Sequence, residues 1–208
     1  MLLQVFQDLL KYFHEHSRYI LNGSREKRRG SISSLDALMK KYGAQLGVDW
    51  RFVSAIIRQE SGFRSDLVGV GGSFGVMQMM PATAQSFGVD STSSVADQVR
   101  AGMRLIARLN NMFAKYVEDP DERLYFVAAA YNSGSGHIID ACELCIKYGG
   151  DVTSWNEVSR YLILKKEHKY YSDPVVKCGY YPGRHTVNYV EEVMNRYHGY
   201  KVSLPKKN

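Results

Sequence analysis

From Ser33 onward the apolar residues of this chain recur at three- and four-residue spacing and are cut into short runs by helix stops and starts, which points to a mainly α domain. Leu35, Leu38, Met39, Tyr42 and Leu46 form the first stripe, Gly47 offers a left-handed stop, and Asp49 stands where it can cap the next helix, expected from about Trp50 to Ser61. A Gly-rich stretch from Gly69 to Gly75 reads as a loop or short hairpin, after which Pro81 opens a short helix that Gly88 ends. Val95, Val99, Met103, Ile106 and Phe113 mark a longer helix from about Ser94 to Tyr116. Asp119 caps a helix that begins at Pro120 and runs into Asn132-Ser133-Gly134, and another begins near Ser135. Ser154 with Glu157 has the form of a capping box, and Thr186 to Tyr197 reads as the last helix, with Tyr189 and Val193 on one side. There is no internal repeat and no convincing long strand.

With 45% of its 208 residues apolar, the chain can fill a core of ordinary size. Its 18 Gly and 5 Pro are too few for a low-complexity or collagen-like chain. No run of uncharged apolar residues is long enough for a membrane-spanning helix. Lys and Arg outnumber Asp and Glu by 27 to 21, a surplus that suits an anionic partner without naming one. Arg100, Arg104 and Arg108 stack at four-residue intervals, but they form no recognised motif, so nucleic acid is not expected as a partner. Asp8, Lys11, His14, Glu15 and Arg18 interrupt the first twenty residues, unlike an export signal. Leu2, Phe6, Leu9, Leu10 and Phe13 there suit an amphipathic helix, with Asn22 to Gly30 as a basic linker, so residues 1–30 are read apart from a domain at 31–208. Cys142 and Cys145 have C-x-x-C spacing, yet they share an apolar helical stripe with Ile138 and Ala141 and are read as packing residues, with no metal and no cofactor expected. In an oxidising compartment Cys178 could bridge to one of them.

The chemistry concentrates at Glu60. Val53, Ile56, Ile57 and Glu60 occupy i, i+3, i+4 and i+7, so the carboxyl group projects from the face that must be buried. Burial disfavours the ionised form, and the expected raised pKa leaves a proton available for donation near neutrality. Downstream, the glycines of Gly75-Val76-Met77-Gln78 permit close approach of backbone to a ligand, and Gln78 brings both a donor and an acceptor suited to amides and hydroxyls.

Three runs in this order, Gln59-Glu60-Ser61-Gly62-Phe63, Gly75-Val76-Met77-Gln78 and Ala130-Tyr131-Asn132, resemble the E-S, G-L-M-Q and A-Y-N motifs of the soluble-type lytic transglycosylase domain, a member of the lysozyme superfamily. The resemblance covers about Ser33 to Tyr200. Gly179-Tyr180-Tyr181-Pro182-Gly183 and Val187-Asn188-Tyr189-Val190 are similar to the closing segment of the branch called membrane-bound lytic murein transglycosylase F. In that branch the catalytic domain follows a solute-binding-like domain, and residues 1–30 look like the end of such a domain.

The resemblance implies a lysozyme-like helical fold and an enzyme that cleaves the MurNAc–GlcNAc bond of peptidoglycan glycan strands without consuming water. It implies Glu60 as the single acid and base. Tyr131 and Tyr189 match tyrosines near the catalytic Glu, where a phenol can orient the carboxyl group, Tyr131 being the first candidate. Gln78 and the Met77 backbone would line the sugar site, Asn132 would hold the turn or a sugar amide, and Ser61 would orient local backbone. Val76 replaces the family's usual Leu, and Ser65 stands where Pro is common. Gly69 stands where many members carry a Ser that contacts the substrate's acetamido group, and Ser73 is close enough in the loop to take that part. A location in the periplasm or at the inner face of the outer membrane follows from such a substrate, with a monomer expected and outer-membrane association through a missing N-terminal region. A goose-type lysozyme, using Asp66 as a second carboxylate, and an idle peptidoglycan-binding module are the alternatives.

Overall fold

The computed structural model describes residues 30–205, and the amphipathic stretch expected near the N-terminus lies outside them. The described residues form helices α1 (Asp36–Leu46), α2 (Trp50–Glu60), α3 (Pro81–Ser86), α4 (Val95–Phe113), α5 (Pro120–Ser133), α6 (Ser135–Lys147), α7 (Trp155–Leu164), α8 (His168–Tyr171) and α9 (Arg184–Ser203). Within the described residues there is no strand. The Gly-rich stretch folds as a turn of 3-10 helix, Val70–Gly72, closed by a single antiparallel bridge of Val68 to Phe74, and Phe74 makes a second such bridge to Met79. None of these helices is long and apolar enough to cross a membrane.

Local chemistry accounts for most boundaries. Gly47 ends α1 at φ +67°, the left-handed conformation that glycine adopts without a Cβ clash. The Asp49 carboxylate accepts from the Arg51 N–H, and Asp119 from the Asp121 N–H, so α2 and α5 start on side-chain caps. Ser154 departs from the capping-box reading: its side chain makes no cap bond. Instead Glu122 Oε1, 33 residues earlier, accepts from the Trp155 N–H at 2.7 Å, while Glu157 turns to Arg160.

Helix α2 is the innermost, with Phe52, Val53, Ala55, Ile56 and Ile57 fully buried. Helix α5 buries the run Phe126 to Ala130, and the long α9 packs against both α2 and α5. That crossing brings the last helix of the chain onto the end of α2 that carries Glu60. Met77 packs its side chain onto α4 at Gly102, where a Cβ would collide with it, so the loop after α2 is anchored in the core. Ile138, Ala141, Cys142 and Cys145 are fully buried along α6, as the stripe requires. All three cysteines are free, and Cys178 lies against Gly136 at one end of α6 while Cys145 lies against Gly150 beyond the other. Arg100, Arg104 and Arg108 are exposed, Arg100 paired with Asp97 and Arg104 lying over the Phe87 ring.

Candidate active site

Glu60 ends α2 with its flanking apolar residues in the core and its own side chain half-buried, so the carboxyl group is enclosed yet reachable. Burial raises its pKa to about 7, against the smaller opposing pull of a hydrogen bond from Tyr189. Tyr189 Oη donates to Glu60 Oε1 at 2.6 Å across 129 residues of sequence. Tyr189, and not Tyr131, is therefore the phenol that orients the carboxyl group. Tyr131 sits beside it: burial first, and then the Glu60 charge, hold its phenol well above the ordinary range, and Tyr131 Oη donates to the Met77 carbonyl at 2.7 Å.

The segment Gly75 to Gln78 is fixed at successive carbonyls. Gln78 Nε2 donates to Gly75 O at 2.8 Å, Ser61 Oγ to Val76 O at 2.8 Å, and Tyr131 Oη to Met77 O. Ser61 thus holds the loop against the end of α2, and among the described residues it has no basic partner that would make it a nucleophile. Gly75 adopts φ +69°, and a Cβ there would collide with the Gln98 amide beneath it.

Gln78 differs from the expectation of a free donor and acceptor. Its own backbone is left-handed, φ +45°, which turns the side chain back into the loop. Both amide hydrogens are used within the loop, on Leu67 O at 3.0 Å and Gly75 O, and Oε1 accepts from Ser73 Oγ at 3.0 Å. Met77 likewise offers only backbone, its side chain being in the core. Ser73 is half-buried, and its hydroxyl occupies the space that a side chain on Gly69 would need. Gln78 Oε1 crowds the same space, so a side chain on Gly69 would require both of these side chains to turn away. Asn132 is half-buried in the last turn of α5, and its Oδ1 accepts from Thr186 Oγ1 at 2.8 Å. Asp66 is exposed and paired with Arg64 at 3.4 Å, and that bond holds its carboxyl below the ordinary value.

A second polar cluster lies behind this site. His137, Asp140 and Cys178 place atoms able to bind a metal within 4.8 Å of one another. The cation among them is Lys165, fully buried, whose ammonium donates to Asp140 Oδ2 at 2.6 Å and lies 3.1 Å from His137 Nδ1. Burial, and then the Lys165 charge, depress the His137 pKa, which suits a neutral ring accepting from the ammonium. Sequence reasoning passed over this cluster, along with Thr186 and Tyr181. Lys165 carries no local signal of burial in a run of charged residues, Lys165-Lys166-Glu167.

The family description "Transglycosylase SLT domain" matches residues 37–145. Curated relatives named membrane-bound lytic murein transglycosylase F include one from Salmonella arizonae, 35% identical over 175 residues, which are 83% of this chain and 32% of the relative. Others come from Alteromonas mediterranea, 33% identical over 90% of this chain and 40% of the relative, and Desulfosudis oleivorans, 33% identical over 77% and 35%. The chain thus spans about a third of the length of these relatives. Among solved structures, the 70 kDa soluble lytic transglycosylase of Escherichia coli is similar with a TM-score of 0.57 at 19% identity, over 84% of this chain and 25% of that one. An inactive mutant of the lytic transglycosylase Slt from Pseudomonas aeruginosa gives 0.55 at 19% identity, over 96% and 29%. These likenesses bear out the helical, lysozyme-like fold expected from the motifs. Ordered motifs, fold and family match converge, and the chain belongs to the transglycosylase SLT domain family.

Proposed function

We propose that residues 31–208 form the catalytic unit of a peptidoglycan lytic transglycosylase, which cleaves the MurNAc–GlcNAc bond without water and leaves a 1,6-anhydro-MurNAc end. The observation that carries this reading is the state of Glu60, enclosed, bonded to Tyr189 and raised to about 7. At that value one carboxyl group serves as acid in one step and base in the next. Protonated Glu60 gives its proton to the glycosidic oxygen as the bond from C1 to that oxygen breaks. The acetamido carbonyl of the MurNAc residue stabilises the electron-poor C1. The ionised Glu60 then accepts the C6 hydroxyl proton while O6 bonds to C1, which restores the acid and closes the anhydro ring. Tyr189 favours the carboxylate form by donating to it, so it eases the first transfer.

Hydrolytic glycosidases generally flank the scissile bond with two carboxyl groups. Asp66, the sequence candidate for a second one, is exposed and tied to Arg64, which supports a mechanism with one. In this reading Ser73 and Asn132 meet the sugar, while Ser61, Met77, Gln78 and Tyr131 give the loop its shape. The partner is the glycan strand, met by a monomer in the periplasm or at the inner face of the outer membrane, with no nucleic acid involved.

The test is mass spectrometry of muropeptides released from purified sacculi by the protein and by Glu60→Gln. Expected are anhydro products from the unaltered protein and their loss by about two to four orders of magnitude in the variant. Reducing-end products, heavier by one water, would make the protein a hydrolase. Glycan binding without release by either protein would make it a binding module.

A further inference from the structure

Helix α9 bonds to the site at two places one turn apart. Tyr189 donates to Glu60, and Thr186, three residues earlier on the same face, donates through Oγ1 to Asn132 Oδ1 at 2.8 Å. Thr186 is fully buried. Its hydroxyl also lies 2.6 Å from Tyr181 Oη. Tyr181 is held in turn by stacking on the His137 ring, centroids 4.2 Å apart and planes at 19°, and by its N–H on Lys165 O at 3.3 Å. His137 is itself fixed by the Lys165 ammonium.

The direction of this chain decides what Asn132 offers. A threonine hydroxyl has one hydrogen. If Tyr181 donates to Thr186 and Thr186 to Asn132, each hydroxyl hydrogen is used on an acceptor. The reverse order would leave the half-buried Tyr181 hydrogen without an acceptor among the described residues. Because the Asn132 oxygen is bound to a fully buried hydroxyl while the residue stays half-exposed, the exposed end of the amide is the NH2 group.

We infer that Tyr181 and Thr186 are positioning residues which lock the Asn132 amide with its NH2 toward the cleft, making Asn132 a donor for the carbonyl oxygen of a glycan acetamido group. This rests on the glycan reading above and assigns a direction to one contact of that site. A free asparagine accepts and donates equally well and would not discriminate. Locked, it favours an acetylated sugar over one carrying a free amine.

The probe is the tetrasaccharide of N-acetylglucosamine, titrated into the Glu60→Gln protein so that binding is read without turnover. Thr186→Val keeps the shape of the side chain and removes the hydroxyl, and Thr186→Ser keeps the hydroxyl. Expected are roughly five- to tenfold weaker binding for Thr186→Val, as for loss of one well-placed hydrogen bond, and recovery to within about twofold in Thr186→Ser. Tyr181→Phe falls between, and should it alone fold well it carries the same test. The Asn132 side-chain NH2 resonances shift on adding the tetrasaccharide to Glu60→Gln and lose that shift in Thr186→Val. In the active protein Thr186→Val raises KM and leaves the pH midpoint of kcat in place. Unaltered affinity in Thr186→Val, an Asn132 NH2 signal that ignores the sugar, or failure of serine to restore binding would each overturn the inference. Absence of any tetrasaccharide binding by Glu60→Gln, with no muropeptide release by the unaltered protein, would instead overturn the glycan reading and this inference with it.

Discussion

Glu60 and Asp140 are both carboxyl groups withdrawn from bulk water, and their pKa values move in opposite directions. For Asp140, burial is the largest influence and pushes upward, but the Lys165 ammonium at 2.6 Å and the N–H groups of Lys177 and Cys178 at 2.8 and 2.9 Å together outweigh it, and the carboxyl lies below its ordinary value. Among the described residues, Glu60 meets burial with one neutral hydroxyl, that of Tyr189, and rises to about 7. Burial alone therefore does not make an acid catalyst. The number and charge of the donors around the oxygens decide whether a withdrawn carboxylate becomes a fixed anion or a proton carrier.

Breaking the Asp140 side of this contrast should have the largest effect on stability. Asp140→Asn leaves the Lys165 ammonium buried without a counter-charge, and denaturant unfolding is expected to show a loss of about 3–5 kcal/mol. Since the folded-state pKa of Asp140 is depressed, its contribution is full above the ordinary carboxylate range and disappears as pH falls through the lowered value. The same experiment near pH 7 and at strongly acid pH should show the gap between the two proteins closing in acid.

The Glu60 side is sharpened by its pH profile. The first step needs the protonated form, so kcat/KM should fall as pH rises through about 7. Tyr189 holds the value down, so Tyr189→Phe should move that midpoint upward by about one unit, as for loss of a hydrogen bond to a charged group. A midpoint that stays in place would show that the phenol does not act on this proton. The smallest effect belongs to Asp66→Asn. An exposed pair contributes little, so the midpoint of thermal unfolding should stay in place and the muropeptide products should keep their mass. Loss of activity in that variant would restore the hydrolase with two carboxylates.

The parts of this molecule that could be read along the chain are those set by near neighbours. The caps at Asp49 and Asp119, the stop at Gly47 and the buried stripe that ends in Glu60 all depend on residues within one or two turns. What escaped depends on distant partners. Glu122 caps α7 from 33 residues away, and no periodicity announces it. By resemblance Tyr131 is the first candidate, and only the crossing of α9 over α2 selects Tyr189 as the partner of Glu60. Gln78 reads as an open amide until its left-handed backbone turns it inward, a choice made by the loop's own hydrogen bonds. The Lys165 cluster joins segments that share no pattern, so it becomes visible only when α6 and α7 pack together.

The crowding of Gly69 by Ser73 and Gln78 also constrains the order in which this loop can change over generations. A serine at position 69 requires the Ser73 hydroxyl to swing out of that space, and trimming Ser73 to glycine leaves the Gln78 oxygen without its donor. Either single change therefore gives up the hydrogen bond that ties the two sides of the loop, so residues 69 and 73 are expected to change together.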